Sequence, residues 1–334
     1  VTRGEAIRVI ASAACAPIHY RPDGVPARAA ALAGPGLVLS GAGSLPDAAL
    51  HWMRSRFGPP GGRAGNVVVL RASGDRYDTD DFYNIGRFAS VREILVPPCS
   101  TRAEVDATAD DLANADAVYF AGGDQAHYAA WKGSALIRAV RAVRARGGIV
   151  GGGSAGLAIQ GTIAFDSVAA DRIHRDADYS VDTANAVRDP LEPEISFTTG
   201  LFDWAPLRRT ITDTHFAKRD RFGRLVAFLA RIAHAGFSTP FYGLGIDEGS
   251  VVLADVAGRA ILRRDEKSRG AYLVRLRDPV HLVPGRSLLA TVDVAHIVHD
   301  GEAFDLTNKR AAAPWRSITV DGTRKPCYSA DPYA

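Results

Sequence analysis

Six consecutive residues, Gly151-Gly152-Gly153-Ser154-Ala155-Gly156, constrain this chain more than any other stretch. An apolar segment over residues 147–150 runs into the glycines, and Leu157-Ala158-Ile159-Gln160 follows with helical character. That order reads as a strand ending in a sharp turn that leads straight into a helix. Such a turn needs small neighbours, because a β-carbon beside the serine would meet the strand or the helix. The hydroxyl then stands clear above the sheet, beside N–H groups of the new helix that can hold an oxyanion. Three readings share the pattern. Residues 152–156 fit G-x-S-x-G, the nucleophile elbow. Residues 151–156 equally fit G-x-G-x-x-G, the dinucleotide fingerprint, with the serine as a spacer. The third reading is a packing turn without chemistry.

The surrounding chain supplies a fold for the turn. Buried strands are expected over residues 36–43, 66–70, 93–96 and 117–121, and again over 147–150. Helical spacing is expected between them over residues 47–57, 82–88, 100–113 and 133–146. This alternation predicts an α/β fold: a mainly parallel sheet with helices on both faces. Sites in such sheets form beyond the carboxyl ends of the strands. That rule places residues 41–44, 122–125 and 153–156 at one end.

Past Gly161 the pattern changes. Residues 165–193 read as an irregular excursion rich in aspartate and arginine, and residues 222–235 as a helix. Residues 241–246 and 250–254 read as a hairpin-like pair around Asp247-Glu248-Gly249. Residues 271–276, 288–292 and 295–298 read as further strands. The economical organisation is an N-terminal arm, 1–30, and a single α/β domain, 31–334, with added C-terminal strands.

The 334 residues can bury a substantial core, and 47% hydrophobic with 23% charged residues is ordinary for a globular chain. A net charge of +3 gives no argument for nucleic acid or membrane as a partner, and no apolar run is long enough to span a bilayer. Cys15, Cys99 and Cys327 lack a metal-ligand spacing. Cys99 and Cys327 both follow prolines in expected loops, so a disulfide stapling the tail and free thiols are both open, as are a cytoplasmic and an exported location. Asp75, Asp78, Asp80 and Asp81 read as a solvated loop and helix start rather than a cation site.

A nucleophilic serine needs a base, and the base needs a third group to fix its tautomer. His215 stands out among nine histidines because it follows an expected strand and has Asp213, Arg219, Arg221 and Arg224 around it. Arginines beside a nucleophile read as a carboxylate-binding wall.

Four motifs then occur in order: Gly122-Gly123-Asp124-Gln125; Gly153-Ser154-Ala155-Gly156; Asp213-Thr214-His215-Phe216 with Arg219, Arg221, Arg224 and Leu225; and Gly243-Leu244-Gly245-Ile246-Asp247-Glu248. Together they resemble cyanophycinase, a family of serine peptidases that also holds the aspartyl dipeptidases, over residues 36–298. The resemblance implies a sheet like that of class I glutamine amidotransferases (flavodoxin-like) and a Ser-His-Glu triad. Ser154 would be nucleophile, His215 base and Glu248 the orienting acid. The N–H groups of Ala155 and of a neighbouring glycine turn, at Gly123, would hold the oxyanion. Gln125, Asp213, Thr214, Arg219, Arg221 and Arg224 would line the substrate pocket. No cofactor and no metal are implied, and a homodimer would match the family. The implied reaction is cleavage of aspartyl peptide bonds, releasing β-Asp-Arg dipeptides from cyanophycin. Thr214 stands where the family usually has glutamine, and a threonine cannot offer an amide N–H and carbonyl together. That departure opens the alternative of an α- or isoaspartyl dipeptidase not acting on cyanophycin. An alternative of another class is a non-catalytic or dinucleotide-binding protein, with Asp171 as the acid about 20 residues on.

Overall fold

The computed structural model describes residues 15–27, 33–58, 61–74, 79–174, 181–237 and 239–334. Residues 1–14 and 28–30 of the expected arm and Asp75 and Asp78 lie outside them.

Seventeen strands occur among the described residues. The first two, β1 (Ile18–His19) and β2 (Asp23–Gly24), pair antiparallel with β5. Five strands follow: β3 (Gly36–Ser40), β4 (Asn66–Arg71), β5 (Ser90–Leu95), β6 (Ala117–Phe120) and β7 (Ile149–Gly153). They pair parallel in the order β5-β4-β6-β7-β3. Strands β5, β4, β6 and β7 thus repeat the 2-1-3-4 order of flavodoxin-like sheets, and the order reverses between β4 and β6.

Both faces of this sheet are covered, as the near-continuous apolar strands require. Successive residues go to opposite faces. Leu37, Leu39, Val68, Leu70, Val118 and Phe120 join one core with Leu136, Ile137, Val140 and Val143 of the helix Ala135–Ala145. Val38, Val67, Val69, Ala117 and Tyr119 join the other with Ala49, Leu50 and Met53 of the helix Asp47–Ser55.

The short strands β8 (Ile163–Phe165) and β9 (Phe197–Thr199) form a ribbon. The second large sheet runs β10-β11-β14-β15-β17, made of β10 (Thr210–Asp213), β11 (Tyr242–Ile246), β14 (Ala271–Leu276), β15 (Leu289–Ile297) and β17 (Arg316–Asp321). It packs on the helix Phe222–His234. The remaining strands, β12 (Ser250–Asp255), β13 (Arg259–Arg264) and β16 (Ala303–Asp305), extend the first sheet beyond β3.

Two expectations are corrected, and the open question of the cysteines is answered. Strands β11 and β12 are not a hairpin: β11 pairs with β10 and β14, while β12 pairs with β3 and β13. The chain crosses between sheets at residues 247–249, where the Asp247 carbonyl lies so close to Gly41 that a β-carbon there would stand 2.0 Å from it. Residues 288–292 and 295–298 are not two strands but one, β15, continuous through Asp293 against β14 and β17. The disulfide joins Cys15 to Cys99, with Cα atoms 5.2 Å apart, and Cys327 is free. Pairing of β1 with β5 decides this, because Ile18 lies opposite Leu95 and carries Cys15 to the loop after β5.

Candidate active site

Strand β7 continues through the glycines to Gly153, and the helix Ala155–Ala158 begins one residue after it ends. Ser154 makes the whole turn with φ 51° and ψ −118°. A non-glycine residue in that region costs about 1–3 kcal/mol, and such strain persists where the surroundings over-determine it. They do so here through close backbone approach. A β-carbon on Gly156 would stand 2.1 Å from the Phe120 carbonyl oxygen, and one on Gly152 would stand 2.6 Å from the Gly156 backbone. The glycines therefore serve the packing of helix on strand, and the serine takes the strained position.

His215 is brought to the serine from the second sheet. It follows β10 after Thr214, also at positive φ (47°), and its N–H donates to the Gly41 carbonyl at 3.2 Å. Its Nε2 lies 2.8 Å from Ser154 Oγ, and its Nδ1 is hydrogen-bonded to Glu248 Oε1. Glu248 occupies the crossing between sheets. The neighbouring Asp247 fixes that corner: Oδ1 accepts from the N–H groups of Ala217 (3.0 Å) and Lys218 (2.9 Å), and Oδ2 from Arg269 N–H (3.0 Å).

The electrostatics assign the protons. Burial would raise the Glu248 carboxyl, but the hydrogen bond and charge of His215, with Arg219 and Lys218, hold it below its ordinary value. An ionised carboxylate only accepts, so Nδ1 carries the imidazole proton and Nε2 is left to accept from the serine. Burial pulls His215 below the usual imidazole value; Glu248 pushes it up, and Arg219 and Arg221 pull it down. A neutral imidazole hydrogen-bonded to a hydroxyl is the arrangement general-base catalysis requires.

The residues expected to line the pocket divide. Arg219 is exposed, its Nε 4.0 Å from Glu248 Oε1. Gln125 is half-buried and donates to Ser167 Oγ at 2.7 Å. The other four are turned inward, in place of an open wall. Asp213, Thr214, Arg221 and Arg224 are 2%, 3%, 8% and 3% exposed. Arg224 grips both Asp213 oxygens through Nε and Nη2, and its Nη1 donates to the Val181 carbonyl. Arg221 donates through Nη1 to the Thr214 carbonyl at 3.1 Å and hydroxyl at 2.8 Å. Burial and the adjacent Arg224 bring the Arg221 guanidinium down to about 9, with Asp213 opposing them. A strand-end cluster of charges was legible in the sequence. That its members satisfy one another was not.

Sequence reasoning also missed a cavity. It measures about 480 Å³ and adjoins Ser154, Gly122 and Gly123 at the carboxyl ends of β3, β4, β6 and β7. Its polar lining comes from Ser44, Arg71, Ser73 and Asp81, with Leu45, Leu50 and Phe82 as apolar wall. This is the crevice between β4 and β6, where the strand order reverses. The signal existed in the residues just past the expected strand 66–70, but which strands flank the crevice is set by the sheet order.

Ala155 opens a helix, so its N–H lies in the first turn, whose donors have no intrahelical partner. Gly122 approaches Ser154, a β-carbon on it lying 3.6 Å from the serine Cβ, and Gly123 follows with φ 130°. Asp171, the acid of the dinucleotide reading, sits on the helix Val168–Ile173 rather than at the end of a second strand. It lies with Asp124 and His127, one potential ligand atom from each within 4.8 Å of the others. One imidazole and two carboxylates suit a divalent transition metal, but Asp124 already accepts from Ala126 N–H at 2.8 Å as a helix cap.

Comparison with protein-family models and with curated proteins finds no match. Among solved structures, the chain is similar to a peptidase from an acI-B1 Actinobacterium, at 15% identity and TM-score 0.47, over 81% of this chain and 97% of that one. It is also similar to a proposed Peptidase E protein from Listeria monocytogenes EGD-e, at 14% identity and TM-score 0.41, over 70% of this chain and 100% of that one.

Proposed function

We propose that the protein is a serine peptidase that cleaves aspartyl peptide bonds through an acyl-enzyme on Ser154. One observation carries the reading: Ser154, strained at a strand-to-helix turn, shares an unbroken hydrogen-bond relay with His215 and Glu248. Ser154 Oγ attacks the scissile carbonyl carbon while its proton passes to His215 Nε2. The negative charge that develops on the carbonyl oxygen is held by the Ala155 N–H and the glycine turn at Gly123. Removing one such donor raises the barrier by about 3–4 kcal/mol in related chemistry. Collapse breaks the C–N bond, and the amine leaves with the proton from His215. Water then enters by the same route and releases the acid. Glu248 stays ionised throughout and offsets the imidazolium charge.

The aspartyl preference rests on Arg219, the exposed cation beside Glu248; Arg71 reaches the cavity wall, but its charge is already met by the buried Glu93. Burial of Asp213, Thr214, Arg221 and Arg224 favours, as a second reading, α- or isoaspartyl dipeptides over cyanophycin. Incubation with cyanophycin and with short α- and β-aspartyl peptides separates the two, and mass spectrometry after a fluorophosphonate should place one adduct on Ser154. An adduct elsewhere, or none, would sink the mechanism. The same reading proposes no metal, cofactor or nucleic-acid partner, and a homodimer as its assembly.

The pH profile offers an independent check. The base works only when neutral, so kcat/KM falls as pH drops through the His215 value, which lies below about 6.5. Glu248→Gln removes the contribution that raises this value, so the acid limb should move to lower pH, with a rate loss on the order of 10³-fold or more. Arg219→Gln removes one that lowers it, so the limb should move up. Shifts in a common direction would count against His215 as the titrating group.

A further inference from the structure

The helix Phe222–His234 starts without a side-chain cap of its own, because its N-cap residue, Arg221, has only donors and gives them to Thr214. The first N–H groups of a helix have no partner within it. Here three of them are met from distant parts of the chain. Tyr333 Oη accepts from Phe222 N–H at 2.9 Å, Tyr328 Oη from Gly223 N–H at 3.2 Å, and Thr183 Oγ1 from Arg224 N–H at 3.2 Å.

Each of these hydroxyls spends its own proton on one residue. Tyr328 and Tyr333 both donate to Asp220 Oδ1, at 2.8 Å each, and Thr183 donates to the Asp220 carbonyl. Asp220, like His215, has left-handed backbone (φ 46° and 47°). Between them residues 215–221 form a tight loop, in which Arg219 N–H donates to the His215 carbonyl and Arg221 N–H to the Phe216 carbonyl. One side of this loop is fastened to Asp247, beside Glu248. The other side is fastened by the tyrosines. Their rings pack where the loop turns: Tyr333 edge-on to Phe216 and Phe222, Tyr328 edge-on to Phe222. The segment carrying them is itself held, Arg316 donating to the carbonyls of Asp331 and Pro332.

We infer that residues 327–334 act as a strap that positions the His215 loop, with Tyr328 and Tyr333 as positioning residues for the imidazole. Neither touches the reacting atoms. They act through Asp220 and the start of the helix, and the inference rests on His215 being the base for Ser154.

The test uses the full chain and the rate at which a fluorophosphonate modifies Ser154, a readout that needs no known substrate. The double variant Tyr328→Phe/Tyr333→Phe keeps the rings and removes the hydroxyls. It should lower the maximal modification rate about tenfold, as misplaced catalytic groups do, with the half-saturating probe concentration unchanged. Asp220→Ala should act in the same direction, and Asp220→Asn, which keeps an acceptor for the tyrosines, should recover most of the rate. A double variant that is less stable to heat but modified at the unsubstituted rate would make the strap purely structural and overturn the inference. If the unsubstituted protein is not modified at Ser154 at all, the nucleophile reading falls and takes this inference with it.

Discussion

Ser154→Ala is expected to lower peptide turnover by on the order of 10⁴-fold or more, since removal of one triad member disables the unit. Stability should not fall with it. The side chain is half-buried and makes one hydrogen bond, to His215, while the fold around it is set by the glycines and by β7. Ser154→Gly should be as inactive as the alanine variant and more resistant to urea by about 1 kcal/mol, because glycine occupies φ 51° without the clash that a β-carbon brings. The pair of measurements separates a strained catalytic position from a strained structural one. If the alanine variant turns over at the unsubstituted rate, or if glycine destabilises the protein, the elbow is a packing device and the serine a spacer.

Arg224→Leu should have the largest effect on stability, about 3 kcal/mol in the urea transition, because it leaves the buried Asp213 carboxylate without its two-pronged partner and with Arg221 only at 3.8 Å. Asp213 is 2% exposed, and Arg224 holds both its oxygens. Replacing both residues by apolar ones of similar size should recover part of the loss, since the desolvation of both charges is avoided while Arg221 loses its carboxylate neighbour. The competing expectation treats the two residues as substrate contacts. It requires the single substitution to raise KM and leave the urea midpoint in place, and that outcome would restore an open carboxylate-binding wall. The geometry instead gives the pair a mechanical task. It pins the end of β10, two residues before His215, against the helix Phe222–His234. A loss of stability with an accompanying loss of kcat fits that task.

The parallel strands and their helices were legible in the sequence because each is built on a local period. Residues 66–70 and 117–121 are apolar runs short enough for strands, and residues 133–146 repeat at helical spacing. A physical cause acting over one or two turns leaves its mark over one or two turns. The elbow was legible for the same reason, since only glycine and other small residues tolerate a strand and a helix meeting that closely. His215 and Glu248 were found by company and order, through the resemblance of four motifs, rather than by any periodicity.

What failed to show were relations between distant segments. The acidic turn at residues 247–249 looked like a hairpin because two β-runs flank it. Register with β3 on one side and β10 on the other sends those runs to different sheets, and this is what sets Glu248 beside His215. The arginine cluster looked like an open carboxylate-binding wall because it stands beside the expected base. Burial of Arg221 and Arg224 depends on Asp213 and on the carbonyls of Thr214 and Val181 closing around them. For Cys99 a bridge to the tail and a free thiol were both open, and the pairing of β1 with β5 gave it to Cys15.

By itself, then, the sequence determined the elements and the strained turn, since propensity, periodicity and the steric demand for glycine are properties of neighbouring residues. Tertiary structure alone decided which charges are spent on each other, which crevice adjoins the serine, and which tyrosines cap the helix beyond the histidine. Those depend on contacts between different elements, from Asp213 with Arg224 to Phe222 with Tyr333, and no local energy encodes that choice.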